Sequence, residues 1–212
     1  MSEAQIKKLI TEPDTLEIVR DQLAAILSLG LQKQHAIAVE DGAANAAEYD
    51  IPVYVENSRP YEAGDDNPLP RFVNVLLPKV EAPEANPRLG MQKEQAVFWI
   101  DCCARGNDGG NFRDDKSASF RAWKLTRLVR RILMSDYYTY LGLRGTVGSR
   151  IVTAMEAGTP DKTGESALAY VIIRVTIAVQ FLEKAIEAEG FPLEAIDWEL
   201  NPASGELRAI GG

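Results

Sequence analysis

Histidine occurs once and cysteine twice in this chain of 212 residues. With a single imidazole, at His35, a Ser-His-Asp or Cys-His nucleophile has one base at most, and metal sites built on several histidines are excluded. His35 lies beside Gln32, Lys33 and Gln34 at a polar helix end, where a cation near a C-terminus is accounted for without catalysis. Cys102 and Cys103 are adjacent, so on an extended chain they point to opposite faces and do not pair with each other. We read them as free buried thiols of a protein made in a reducing cytoplasm. Long apolar runs are also missing. The longest, Ala167–Leu182, is interrupted by Arg174 and Gln180 and falls short of the ~18 uncharged residues of a membrane-spanning helix. The N-terminal residues lack the basic stretch and apolar core of a secretory leader. Positive charge is the minority sign, 23 Lys+Arg against 31 Asp+Glu for a net charge of -8, which excludes a chain-wide electrostatic grip on nucleic acid.

Glycines and acids do not assemble into ligand motifs. Gly106, Gly109 and Gly110 form neither the GxxxxGK nor the GxGxxG pattern, and Asp108, Asp114 and Asp115 do not follow calcium-loop spacing. That segment reads as a hairpin or strand-to-helix loop. Asp65, Asp66, Glu187 and Glu189 lie in polar segments and read as solvated. No cofactor, no metal and no enzymatic activity is expected on these grounds. What remains, 46% apolar and 25% charged residues, is the composition of an ordinary folded domain.

Hydrophobic periodicity supplies the architecture. Leu16, Val19, Leu23, Ile26, Leu27 and Gly30 recur at helical spacing and predict a helix over Asp14–Gln32, with Pro13 in its first turn and Thr11 or Glu12 just outside. The alanine-rich stretch 33–50 is poorly periodic and reads as a connector with a short strand at Ala36–Val39. Strands are expected at Ile51–Glu56, Phe72–Val80 and Gln95–Ala104, with Pro78 placing the second at an edge or a bulge. A second helix is predicted from Ser117 to Tyr137, buried along Ala122, Leu125, Leu128, Val129, Ile132 and Leu133. Ser149–Glu156 and Ala167–Leu182 are the fourth and fifth strands. The fifth would span on the order of 50 Å, so either a bulge bends it or its hairpin with the fourth projects from the body. Glu183–Gly190 reads as a short helix ended by Gly190, Leu193–Asn201 is ambiguous, and the end reads as a loose tail. The order α-β-β-β-α-β-β specifies one α+β domain over residues 1–190, a mainly antiparallel twisted sheet with helices packed on one face, followed by a C-terminal extension over 191–212.

One charge pattern stands out. Arg121, Lys124, Arg127, Arg130 and Arg131 follow Lys116 on the second helix, with no acidic residue between Lys116 and Arg131. At ~100° per residue, Lys124, Arg127 and Arg131 lie opposite the apolar stripe, with Arg130 at its margin. Three readings stand: a solvated face, a subunit interface paired with acids of a neighbouring copy, or a contact with nucleic-acid phosphates. The segment from Ala157 onward carries nine acids against four bases, a source of partners for the second. No aromatic interleaving of the base-stacking kind accompanies the stripe. Trp99 and Trp123 read as core or interface aromatics, and Tyr137, Tyr138 and Tyr140 as an aromatic cluster of the sort that commonly serves packing and is also enriched at interfaces.

A starting amphipathic helix, the strand IPVYVEN, a loop ending in LPRFVNVLL, the strand QAVFWIDCCA, a helix and two long closing strands resemble the tail terminator (tail completion) proteins of tailed bacteriophages. The resemblance covers residues 10 to 182 and rests on element order rather than on a diagnostic motif. It implies a structural virion protein that forms a homo-oligomeric ring, typically a hexamer, at the head-proximal end of the tail. Such a ring ends tail-tube polymerisation and joins the tail to the neck. The partners implied are other copies of the chain, the tail tube and a sheath protein where present, and a neck or head-completion protein. DNA would only pass through the channel without specific contact, and no membrane is involved. Localisation would be the virion, after assembly in the host cytoplasm. Arg121, Lys124, Arg127, Arg130 and Arg131 are then candidate subunit-interface or lumen residues. The loops 57–71 and 81–94 and the segment after 183 depart from the family pattern. They leave open another neck, tail or baseplate component. A small cytoplasmic binding module or enzyme with a pocket over the sheet is the alternative from a different class.

Overall fold

A computed structural model describes residues 14–56, 71–81, 91–106, 114–158, 170–184, 197–201 and 206–210. The first helix, α1, runs Thr15–Glu40. Its start is a capping box: the Asp14 carboxylate accepts from the Leu16 N–H at 3.2 Å, and Glu17 accepts from the Asp14 N–H at 3.3 Å. The cap is therefore Asp14, the first residue of the expected helix, and Thr11, Glu12 and Pro13 lie outside the described residues. The helix also continues two turns beyond the expected end, and no strand forms at Ala36–Val39. Alanine favours helix, and Leu31 and Ala38 carry the buried stripe onward. The exposed Ile37 and Val39 hide that periodicity in the sequence. A 3-10 turn, Ala46–Tyr49, then leads to the sheet.

Five strands form one sheet in the order β1-β2-β3-β5-β4: β1 Val53–Val55, β2 Arg71–Glu81, β3 Met91–Arg105, β4 Val147–Gly158 and β5 Tyr170–Lys184. Only β1 and β2 are parallel, so the α+β fold with a mostly antiparallel sheet is as the periodicity indicates. The register of β2 shifts between Leu76 and Lys79, which puts Pro78 at an irregularity where no ladder hydrogen bond is lost. The long strand β5 lies inside the sheet, paired with β3 along its whole length and with β4 on its other edge. Its length is met by a 15-residue β3, and the bulges fall in β4 and β2 rather than in β5.

The second helix, α2, spans Asp114–Leu133 and stops four residues short of Tyr137. A 3-10 turn at Asp136–Tyr138 follows, tied down by Arg150 of β4, whose guanidinium donates to the carbonyls of Tyr138 at 2.6 Å and Ser135 at 2.7 Å. Both helices pack on one face of the sheet. Leu23, Leu27 and Leu31 of α1 and Leu125, Val129 and Leu133 of α2 meet Phe98, Ile100, Val175 and Ile177 in one core. At ~25 cal/mol per Å² of apolar surface, burial of each such side chain contributes roughly 1.5–3 kcal/mol. The helices approach closely at Gly30, where a Cβ would stand 2.7 Å from Ile132 Cγ2.

Beyond β5 the structure departs from expectation. Glu183 and Lys184 belong to β5 rather than to a helix, because the alternation of the strand carries through Leu182 opposite Lys93. Residues 185–190 lie outside the described residues. The C-terminal extension is not wholly a loose tail: β6 Asp197–Asn201 and β7 Glu206–Ile210 pair as an antiparallel hairpin. Four residues of turn composition (PASG) between two alternating stretches supply the hairpin signal.

Candidate functional site

The basic face of α2 divides into two parts. Arg121 and Lys124 turn toward Glu48 on the first 3-10 turn, at 3.8 and 3.3 Å, and Arg71 of β2 joins them at 3.2 Å. Arg71 also donates to the Glu48 carbonyl at 2.8 Å, and the Lys124 ammonium lies 5.4 Å from the Tyr49 ring centroid. Burial pushes the Glu48 carboxyl up, but Arg71 and Lys124 outweigh it and hold the group below the usual glutamate value. These cations fasten the turn to β2 and α2. Two of the five candidate residues thus have an intramolecular partner.

Arg127, Arg130 and Arg131 are exposed and have no ion-pair partner among the described residues. Arg130 and Arg131 sit in the last turn, where the helix dipole favours cations. Around them is apolar surface: Phe120 is 71% exposed, Met134 43% and Tyr137 86%. At ~100° per residue Phe120, Lys124, Arg127 and Arg131 fall on one outward ridge. The ridge is positioned from both ends, by the Glu48 cluster near its start and by Arg150 beneath Met134 and Tyr138. Arg144 stands over the Tyr140 ring at 5.7 Å, extending the cation-and-aromatic surface. Three guanidiniums without an ion-pair partner among the described residues, on a helix that also exposes large apolar groups, suit an acidic, partly apolar partner.

The opposite face of the sheet holds a cluster that sequence reasoning missed. Asp101 and Arg174 are direct cross-strand partners, joined by hydrogen bonds of 2.7 and 2.8 Å, and the guanidinium lies 3.8 Å from the Trp99 ring centroid. An acid in one apolar strand and an arginine in another is the signal that could have found the pair, had the register been known. Cys102 and Cys103 are fully buried and free, on opposite faces as expected. Burial pushes the Cys102 thiol up to about 12 and raises that of Cys103 as well, so neither is poised as a nucleophile.

His35 lies along α1 rather than at its end, where it lines an open groove of about 480 Å³ with Ser28, Gln32, Val39, Tyr49 and Asp50. Among the described residues no group of three or more His, Cys, Asp or Glu is placed to hold a metal ion. Asp65, Asp66, Asp108, Gly109, Gly110, Glu187 and Glu189 lie outside the described residues. Among those described, no helix is long and apolar enough to cross a membrane. Comparison with protein-family models and with curated proteins finds no match to this chain.

Proposed function

We propose that the chain is a structural subunit that assembles with copies of itself into a ring at the head-proximal end of a phage tail. There the ring would end tube polymerisation and join the tail to the neck. The observation that carries this reading is the exposed face of α2, where Arg127, Arg130 and Arg131 have no ion-pair partner among the described residues and Phe120, Met134 and nearby Tyr137 are also exposed, in a chain of net charge -8. A ring needs two different, complementary patches per copy, and a basic patch on an acidic protein supplies one of them. The β4 strand supports the same reading. It is twelve residues long, it ends the sheet, and Ile151 lies exposed on it, so it offers an edge for pairing between chains. The resemblance of the element order in the sequence to that of tail terminators supports this reading. The tail tube, a sheath protein where present, and a neck protein are the partners, and DNA passes without specific contact. A charge reversal tests the reading: R127E combined with R131E is expected to abolish self-association in sedimentation velocity while leaving the melting temperature unchanged. Self-association equal to that of the unaltered protein would remove the ridge from the interface.

A second reading has one observation in its favour. The groove beside His35 and Tyr49 brings polar groups of α1 and of the first 3-10 turn over an apolar floor, as a small ligand-binding module requires. A thermal-shift screen of metabolites that raised stability, with loss of the effect in H35A, would favour it.

A further inference from the structure

The end of α1 carries acids where the helix's own dipole disfavours them. Glu40 closes the helix, Asp41 is its C-cap, and no basic residue stands in the last turn. The negative end of a helix dipole is stabilised by cations, so two carboxylates there are locally unfavourable. From Gln34 to Pro52 the chain has four acids and no lysine or arginine. Glu48 has its cations in Arg71, Arg121 and Lys124. Glu40, Asp41 and Asp50 are exposed and have no ion-pair partner among the described residues. Glu40 of α1 and Asp50, in the segment leading to β1, both line the groove of about 480 Å³ beside His35, together with Tyr49 and the exposed Val39.

We propose that this acidic groove receives the α2 ridge of a second copy of the chain, with Arg127, Arg130 and Arg131 set against Glu40, Asp41 and Asp50. Charge complementarity carries the match. Three exposed carboxylates and three exposed guanidiniums each have no ion-pair partner among the described residues, and the guanidiniums supply the cations that the end of α1 lacks. Apolar surface accompanies the charge on both sides: Phe120 falls on the same helical line as Arg127 and Arg131, and Val39 lies exposed in the groove. The two patches are apart on one chain. Gln22 approaches Gly142 beyond the end of α2, Gly30 meets Ile132, and the turn after α1 reaches Arg121 and Lys124, so the helices run antiparallel. Glu40 lies roughly 15 Å along the axis from Gly30 and its neighbour Ile132. Arg130 and Arg131 therefore stand at the end of the helical layer away from Glu40 and Asp41, with Arg127 between. A basic end and an acidic end form a heterologous contact, which repeats around a closed ring. The proposal rests on the reading of the chain as a self-assembling subunit and supplies that subunit with its second patch.

Full-length variants test it by sedimentation velocity. E40R/D50R is expected to raise the concentration needed for assembly about tenfold or more, as R127E/R131E does, because like charges then meet across the contact. The melting temperature of each is expected to stay unchanged, since the altered side chains are exposed. Each variant keeps one native patch: E40R/D50R the ridge, R127E/R131E the groove. An equimolar mixture is therefore expected to associate at a concentration where neither variant does so alone. A mixture that stays monomeric overturns the proposal. Assembly of E40R/D50R equal to that of the unaltered protein also overturns it, leaving the ring reading intact and the groove to a small ligand. An unaltered protein that stays monomeric at every concentration overturns the ring reading and this contact with it.

Discussion

Asp101 and Arg174 meet across β3 and β5 through two parallel hydrogen bonds of 2.7 and 2.8 Å, with Asp101 only 5% exposed and the guanidinium stacked on Trp99. Removing one member of such a pair leaves the other charge without its partner in a poorly solvated place. Asp101→Ala is therefore expected to cost about 2–3 kcal/mol, toward the low side for a buried pair because Arg174 keeps part of its exposure and its ring contact. Urea unfolding measures this. The double variant D101A/R174L should lose less than the sum of the single losses, and additive losses would mean that the pair is not coupled.

The Glu48 cluster makes stability depend on pH. Burial opposes the charged form, yet Arg71 and Lys124 hold the carboxyl below its ordinary value of 4.5 in the folded protein. A group whose pKa falls on folding stabilises the fold fully above its unfolded value, and that contribution disappears as pH falls through the folded value. Glu48→Gln is expected to cost about 1 kcal/mol at pH 7 and progressively less below pH 4.5. Denaturant midpoints of both proteins from pH 3 to 7 check this, and a difference that persists undiminished at pH 3 would contradict it.

At Gly30, α1 and α2 approach closely. Alanine there would gain about 1 kcal/mol in helix propensity, but its Cβ would stand 2.7 Å from Ile132 Cγ2, and overpacking costs about 1–3 kcal/mol. The clash involves atoms next to the branch of a stiff side chain, so Gly30→Ala is expected to be net destabilising by about 1 kcal/mol. Ile132→Ala should offset part of that loss when the two changes are combined. A stabilised Gly30→Ala protein would show that the helices separate freely.

Much of the fold could be read in the sequence because its strands alternate cleanly and α2 has one apolar stripe. Val175, Ile177, Val179 and Phe181 repeat with period two and are all buried on the helix-covered face. Pro78 marked the irregularity in β2, and the adjacent cysteines were legible as inert thiols on two faces. Errors fell where solvent-facing residues broke the pattern. Ile37 and Val39 point outward from α1, so the second half of that helix reads as a connector. The candidate face of α2 was legible as a charge run, but its division was not. Nothing local to Arg121 or Lys124 indicates Glu48, more than 70 residues earlier, as their partner. The Asp101–Arg174 pair is hidden for the same reason, since only the register between distant strands joins them.

The central claim is self-assembly, and native mass tests it most directly. Light scattering of the unaltered protein over a range of concentrations, with negative-stain images of the largest species, is the measurement. The account requires a discrete multiple of the 23.3 kDa chain with a central hole in the images. A single species of 23.3 kDa at every concentration would contradict it.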